Sequence, residues 1–365
     1  MNIEKIETYR IAIPLHTPFK TALRTVTVAE SIVVKVTCDD AIIGWGEAPP
    51  THVITGYSLA SIEFAINGIM KPLIVGESLL NRERVFEKIH QSAVGNSSAK
   101  AALDMALYDC IAQHANMSLA NFLGGYNDTI ETDYTVSVNS PEEMATDAEK
   151  YIDNGFTALK VKVGKDLIET DVKRIEAIRK QIGPDALIRL DANQGWKAKE
   201  AVRAIRKMED LGLNIELIEQ PVKAHDIEGL QYVTDHTDTP IMADESVFSP
   251  NDAKRVLESG AADMINIKLM KAGGIHQALK IAKLADVYGV ECMVGSMIET
   301  KIGITAAAHF AASQPNVTRY DFDAPLMLSG DVIAGGGVTY RGKSIEIGSK
   351  PGLGIDTIDR QFAVK

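Results

Sequence analysis

The sequence predicts an α/β protein: a (β/α) barrel of the TIM type, with an N-terminal α+β unit that caps it and a C-terminal segment that returns to complete that unit. Three observations carry this expectation. From Glu131 onward, short apolar runs alternate with amphipathic helical stretches at a period of roughly 25 residues, the repeat of strand, helix and loops that a barrel needs. Eight such runs are present, which is the barrel number. The first third of the chain follows a different pattern, strands first and helices after. The divisions read as 1–125 for the capping unit, 126–325 for the barrel and 326–365 for the return.

Taken in order, IETYRIAIPL and SIVVKVT alternate as strands. The polar stretch HTPFKTALRTVTVAE between them is too long for a tight hairpin and reads as a functional loop. GWGEAPPTHVITGYS is rich in turn residues and also reads as a loop. Helical periodicity runs from Leu59 to Leu123 and includes NSSAKAALDMALYDCIAQHA, with Ser97 or Ser98 as the expected cap. The barrel strands are TDYTVSV, ALKVKV, LIRLDA, IELIEQP, PIMADES, MINIKLM, ECMVGS and VTRYDFD. Of the intervening helices, SPEEMATDAEKYIDNG shows the clearest signals: Ser140 as cap, an acidic first turn and a closing glycine. The glycine-rich GDVIAGGGVTYRGKSIEIGSKPGLG is short-stranded and belongs with the first unit, not with a ninth barrel repeat.

Composition excludes several classes of function. A net charge of -11 over 365 residues argues against nucleic acid or an anionic membrane surface as partner, since both need a basic face. The N-terminus lacks a signal peptide's apolar core and no run approaches membrane-spanning length, so a cytoplasmic protein is expected. Cys38, Cys110 and Cys292 are far apart, which predicts reduced thiols and neither disulfides nor a zinc site.

The chemistry begins at TALKVKVG, residues 157–164. Side chains alternate across a strand, so Lys160 and Lys162 share one face. Alone, this is a half-exposed strand with its lysines in water. The other strands change that reading, because they end in Asp191, Glu219, Asp244, Lys268, and Asp321 with Asp323. All C-terminal strand ends of a barrel meet at one face, where its active sites sit. Any one strand-end acid could be turn chemistry. Three on successive strands would repel unless a cation neutralises them, and oxygen ligands without clustered His or Cys favour Mg²⁺. Lys162 and Lys268 then arrive from opposite sides of the mouth, a geometry suited to removing a proton on one face of a carbon and delivering one on the other. Two ammoniums about 7 Å apart repel by roughly 2 kcal/mol at an effective dielectric near 20, or about 1.5 pK units. Lys160 is thereby expected to keep Lys162 partly neutral near pH ~8, and to hold a substrate carboxylate oxygen. Such a base contributes about 10² to 10⁴ in rate, so most of the stabilisation falls to the cation.

At these residues the sequence resembles the enolase superfamily, in the subgroup typified by muconate lactonising enzyme. Lys160-Val161-Lys162 matches its K-x-K motif, Asp191, Glu219 and Asp244 its metal ligands, and Lys268 its sixth-strand lysine. The resemblance covers essentially the whole chain. Within the subgroup the sequence is most similar to the dipeptide epimerases, above all the bacterial L-Ala-D/L-Glu epimerases. Asp321 and Asp323 in YDFDAP match the pair that binds the dipeptide's α-ammonium there, and Arg24 matches the arginine that faces a Glu side chain. Thr135, and Ser296 and Ile298 within SMIE, match positions lining the substrate pocket. The resemblance therefore implies Mg²⁺-dependent epimerisation of a small dipeptide, most naturally L-Ala-L-Glu in cell-wall peptide metabolism, by an enzyme of a kind that often forms homo-oligomers.

Alternatives keep the chemistry and change the substrate. A hydrophobic or aromatic C-terminal residue is the nearest of them. N-acylamino acid racemase, o-succinylbenzoate synthase or cycloisomerase activity conflicts with Asp321 and Asp323, which would repel an anion. Sugar-acid dehydratases of the superfamily use a histidine near the end of strand seven, where GVECMVGSMIET has none and His309 falls in the next helix. A non-catalytic binding protein predicts erosion of a ligand or lysine, and none is lost.

Overall fold

The computed structural model describes residues 1–364, leaving Lys365 outside. Strands β1 (Ile3–Lys20), β2 (Thr25–Cys38) and β3 (Ile43–Ala48) form an antiparallel sheet whose outer edge carries Ala363–Val364 paired to β1. Two expectations are corrected here. Residues 16–20 and 25–30 are strand: after a register shift between Pro14 and Phe19, Phe19 faces Val26 and Lys20 faces Thr25, leaving a turn at 21–24. The polar alternation of TVTVAE suits a ribbon with one wet face, which length counting missed. Residues 44–48 of the expected loop are instead part of strand β3. Gly44 and Gly46 are there for packing: a Cβ on either would strike a carbonyl oxygen of helix Ser97–His114, that of Ala106 or of Ala102. The same strand is tied to that helix by Trp45 N–H donating to the Asp109 carboxylate at 3.0 Å.

Helix Ser97–His114 is buried along nearly its whole length. Its cap differs from expectation: Asn96, in the left-handed region at φ 53°, precedes it with no side-chain cap, and neither the Ser97 nor the Ser98 hydroxyl finds a partner. At Ser140 the expectation holds, since its hydroxyl accepts from Glu143 N–H while the Glu143 carboxylate accepts from Ser140 N–H.

After β4 (Thr129–Glu131) come the eight barrel strands: β5 (Tyr134–Val136), β6 (Ala158–Lys162), β7 (Leu187–Asp191), β8 (Ile215–Glu219), β9 (Ile241–Ala243), β10 (Met264–Ile267), β11 (Glu291–Gly295) and β12 (Val317–Asp321). They lie parallel in chain order, each hydrogen-bonded to the next. All eight fall within the runs read from sequence. Between β12 and β5 there is no continuous ladder; Asp133 N–H donates to Tyr320 O at 3.2 Å and Phe322 N–H to Thr132 Oγ1 at 2.8 Å, closing the seam. Beyond the barrel, β13 (Ile333–Gly336) pairs with β16 (Ile355–Ile358), and β14 (Thr339–Arg341) and β15 (Ser344–Glu346) extend from β4. Leu328, Val332 and Ile333 pack with Ile11, Ile13, Val33 and Trp45, so this segment shares a core with the N-terminal sheet.

Helix Lys301–Ala312 carries the fully buried His309, whose Nδ1 accepts from Ala120 N–H at 3.0 Å. Burial lowers its pKa from 6.5 to about 4. The unfolded chain therefore takes up this proton at a higher pH than the native state does, so stability is full above pH 6.5 and falls as pH drops toward 4. In urea unfolding the protein is expected to lose about 2 kcal/mol between pH ~7.5 and pH ~5 through this residue. The gap should narrow by about that amount in His309→Gln; an unchanged gap contradicts this account.

Candidate active site

The parallel register lines up the strand ends. Lys162 lies opposite Asp191, Asp191 opposite Glu219, and Gly295 opposite Asp321, while Asp244 and Lys268 directly follow β9 and β10. Every residue of β6 is buried, so its lysines do not stand in water. Lys160 Nζ lies 2.7 Å from Glu219, 2.8 Å from Asp321 and 3.2 Å from Asp191. Lys162 Nζ meets Asp191 at 2.6 Å, and Lys268 Nζ meets Asp244 at 2.7 Å. β6 and β10 are four strands apart in a ring of eight, which sets Lys162 and Lys268 across the mouth from each other.

A cavity of about 50 Å³ opens at this face. Lys162 and Lys268 line it together with Arg24, Thr135, Lys160, Ser296, Ile298, Asp321 and Asp323, so each non-metal residue singled out from sequence reaches one space. Asp191, Glu219 and Asp244 do not line the cavity but are ion-paired to the lysines that do. The β1–β2 hairpin brings Phe19 from its strand and Leu23 and Arg24 from its turn to the cavity, and Val53 and Ile54 line it from the loop after β3. The Phe19 ring lies 5.9 Å from Lys162 Nζ.

Sequence reasoning missed part of the polar shell. Lys271 Nζ reaches Asp244 Oδ1 at 2.6 Å and donates to the backbone carbonyls of Asp244, Val247 and Asn266. Asn266 donates to Glu219 at 2.8 Å, and Asn193 to both Asp191 and Glu245. The one available signal was a second lysine, Lys271, in the otherwise apolar KLMKAGG.

Electrostatics test whether a cation fits. Six buried carboxyls (Asp191, Glu219, Asp244, Glu245, Asp321 and Asp323) face four buried ammoniums (Lys160, Lys162, Lys268 and Lys271). The surplus negative charge shows in the acids. Glu219 is pushed up to about 7 by burial and by Asp191, Glu245 to about 8 by burial and by Asp244, and Asp323 to about 7 by burial and by Asp321. Asp191, despite burial, is held down to about 2 by Lys162 and Lys160, and Asp244 lies well below its ordinary value beside Lys268 and Lys271. Burial alone would lower the Lys160 and Lys268 ammoniums, but their carboxylate neighbours raise both. Lys160 is thus bound by three carboxylates, and the repulsion expected between it and Lys162 is answered by them. Among the described residues no three acids stand ready around one empty point; the Lys160 ammonium stands in as the cation between Asp191 and Glu219. Six carboxyl groups against four ammoniums, with Glu219 raised toward neutrality for want of positive charge, suit a hard divalent ion, which would let the acids ionise together.

The fold and this ring of strand-end lysines and carboxylates define an enolase-type barrel enzyme. Residues 143–361 match the family model "Enolase C-terminal domain-like", and residues 5–124 match "Mandelate racemase / muconate lactonizing enzyme, N-terminal domain". The chain belongs to that family. It is 63% identical over 355 residues to the L-Ala-D/L-Glu epimerase of Bacillus subtilis, covering 97% of each chain. Among solved structures, a substrate-liganded complex of the Bacillus subtilis enzyme superposes with a TM-score of 0.97 at 62% identity, over 98% of this chain and 100% of that one. A dipeptide epimerase from Enterococcus faecalis, complexed with Mg and L-Leu-L-Tyr, matches with a TM-score of 0.94 at 43% identity, over 97% and 99% of the two chains.

Proposed function

We propose that this protein inverts the α-carbon of the C-terminal residue of a dipeptide with the aid of Mg²⁺, and that L-Ala-L-Glu and L-Ala-D-Glu are its preferred pair. It is an isomerase, a dipeptide epimerase. The observation that carries the reading is the convergence, in one cavity, of two opposed lysines with an unequal acid pair, Asp321 and Asp323.

Each residue has a part in this proposal. Asp191, Glu219 and Asp244 would hold Mg²⁺, which supplies a fixed positive charge beside the substrate carboxylate and acidifies the neighbouring C–H. Lys160 would bind an oxygen of that carboxylate. Lys162 Nζ and Lys268 Nζ would exchange the α-proton from opposite faces, one taking it as amine while the other delivers as ammonium. Asp321 lies below its ordinary pKa although burial opposes this, because Lys160 and Lys162 favour its charge; Asp323 lies well above. A substrate ammonium between them would let both ionise. Thr135, Ser296 and Ile298 would shape the pocket wall.

Arg24 supports the Glu preference: its half-buried guanidinium has no hydrogen-bond or ion-pair partner among the described residues, and burial lowers its pKa. Phe19, Leu23, Val53, Ile54 and Ile298 line the same space and favour a second reading, a hydrophobic C-terminal residue. An Ala-Glu substrate would belong to the turnover of cell-wall peptides, in the cytoplasm. The test is deuterium uptake from D₂O at the C-terminal α-carbon. A free dipeptide should exchange on the order of 100-fold faster than its N-acetyl derivative, since acetylation strands the buried acid pair; equal rates would refute the clamp.

A further inference from the structure

Glu47 stands outside the chemistry so far, yet it is a fully buried carboxylate between the N-terminal sheet and the barrel. It sits near the end of β3, a strand held rigidly by the glycine contacts and the Trp45–Asp109 bond described above. Its Oε1 accepts from Thr300 N–H at 2.9 Å, and its Oε2 accepts from the Thr300 hydroxyl at 2.6 Å and from Gly303 N–H at 2.9 Å. These donors are the first turn of helix Lys301–Ala312 and its cap, where backbone N–H groups lack partners of their own.

What lies on either side of this contact gives it meaning. Immediately after β3, the loop 49–56 curls around one carbonyl: Thr51 O accepts from Ile54, Thr55 and Gly56 N–H at 3.0, 2.8 and 3.2 Å. That loop follows directly from the end of β3, and its Val53 and Ile54 line the cavity. Immediately before Thr300, Ser296, Met297 and Ile298 form the facing wall. This segment is drawn tight by Glu299, whose Oε1 accepts from Met297 N–H at 2.9 Å. Gly303 has no room for a side chain, because a Cβ there would run into Glu299 Oε2 and lie 3.2 Å from Glu47 Oε2. Burial and the Glu47 charge push the Glu299 carboxyl up to about 8, and burial raises the Glu47 carboxyl as well, against the bonds from Thr300 and Gly303 that favour its charge.

We infer that Glu47 is a positioning residue that fastens the two walls of the cavity, loop 49–56 and segment 296–300, to each other and so sets the width of the substrate pocket. It touches no reacting atom. The inference rests on the reading of this cavity as the dipeptide site, and its test separates the two. Hydrogen exchange of Glu47→Gln, whose amide presents a donor where an acceptor is needed, should show amides in both 49–56 and 296–303 exchanging about tenfold faster or more, with the other strands unchanged. In kinetics, KM for L-Ala-L-Glu should rise about tenfold with kcat within about threefold. A role in stability alone would lower the active fraction and leave KM in place. Thr300→Val removes the hydroxyl that donates to Glu47 and that also accepts from Ile302 N–H as the helix cap; faster exchange in 49–56, away from that cap, is the expected result and keeps the test open if the Gln variant does not fold. Loosening confined to 300–303, the signature of a plain helix cap, overturns the inference, as does an unchanged KM. If the native enzyme acts on no dipeptide, the epimerase reading fails, while the exchange data still decide whether Glu47 joins the two walls.

Discussion

Lys268→Ala is expected to remain folded and to lose epimerisation by about 10² to 10⁴, and Lys162→Ala to do the same. The informative result is their difference. With one lysine left, an α-proton can be removed and returned only on one face. Each variant should therefore exchange deuterium into a single epimer, and the two should retain opposite epimers. The geometry behind this is the placement of β6 and β10 across the barrel mouth, with both Nζ atoms at one cavity. Both lysines are ion-paired to carboxylates, Lys162 to Asp191 and Lys268 to Asp244. Removing either adds to the excess of negative charge, so circular dichroism should accompany the rates. A Lys268→Ala enzyme that still interconverts both epimers freely contradicts a two-lysine mechanism.

Removing the Mg²⁺ that Asp191, Glu219 and Asp244 would hold is expected to cost more than removing either lysine, beyond about 10⁴ in kcat/KM, because the fixed charge it would supply outweighs what a single base contributes. Dialysis against a chelator should abolish turnover and added Mg²⁺ should restore it. Asp244→Asn should weaken Mg²⁺ binding in a calorimetric titration, for it removes a donor whose pKa Lys268 and Lys271 already hold low. Full activity after exhaustive chelation would contradict the assignment of Asp191, Glu219 and Asp244.

The barrel was legible because its strands are short, apolar and closed by charged residues, and a parallel barrel gathers such ends at one face. That inference turned scattered residues such as Lys162, Glu219 and Lys268 into one expected cluster. Local rules failed where tertiary contact decided. Gly44 and Gly46 look like turn formers but are contact points against Ala106 and Ala102. Ser97 looks like a helix cap, while the chain enters the helix through Asn96. The pairing of residues 16–30 was hidden because a ribbon with one wet face looks polar. The Lys160–Lys162 pair was read by mutual repulsion; neither the three acids around Lys160 nor the support from Lys271 and Asn266 is adjacent in sequence. Glu47 was invisible for the same reason, since its partners lie about 250 residues away.

The central claim is a lysine-pair epimerase with a clamp for a free ammonium and a subsite for an acidic side chain. The most direct measurement is deuterium incorporation at the C-terminal α-carbon of a library of L,L-dipeptides, in D₂O with Mg²⁺, read by mass spectrometry. The account predicts that L-Ala-L-Glu exchanges fastest, and that both epimers of it appear. Fastest exchange with Leu, Phe or Tyr at that position would remove the role given to Arg24, and no exchange with any dipeptide would contradict the account at its core.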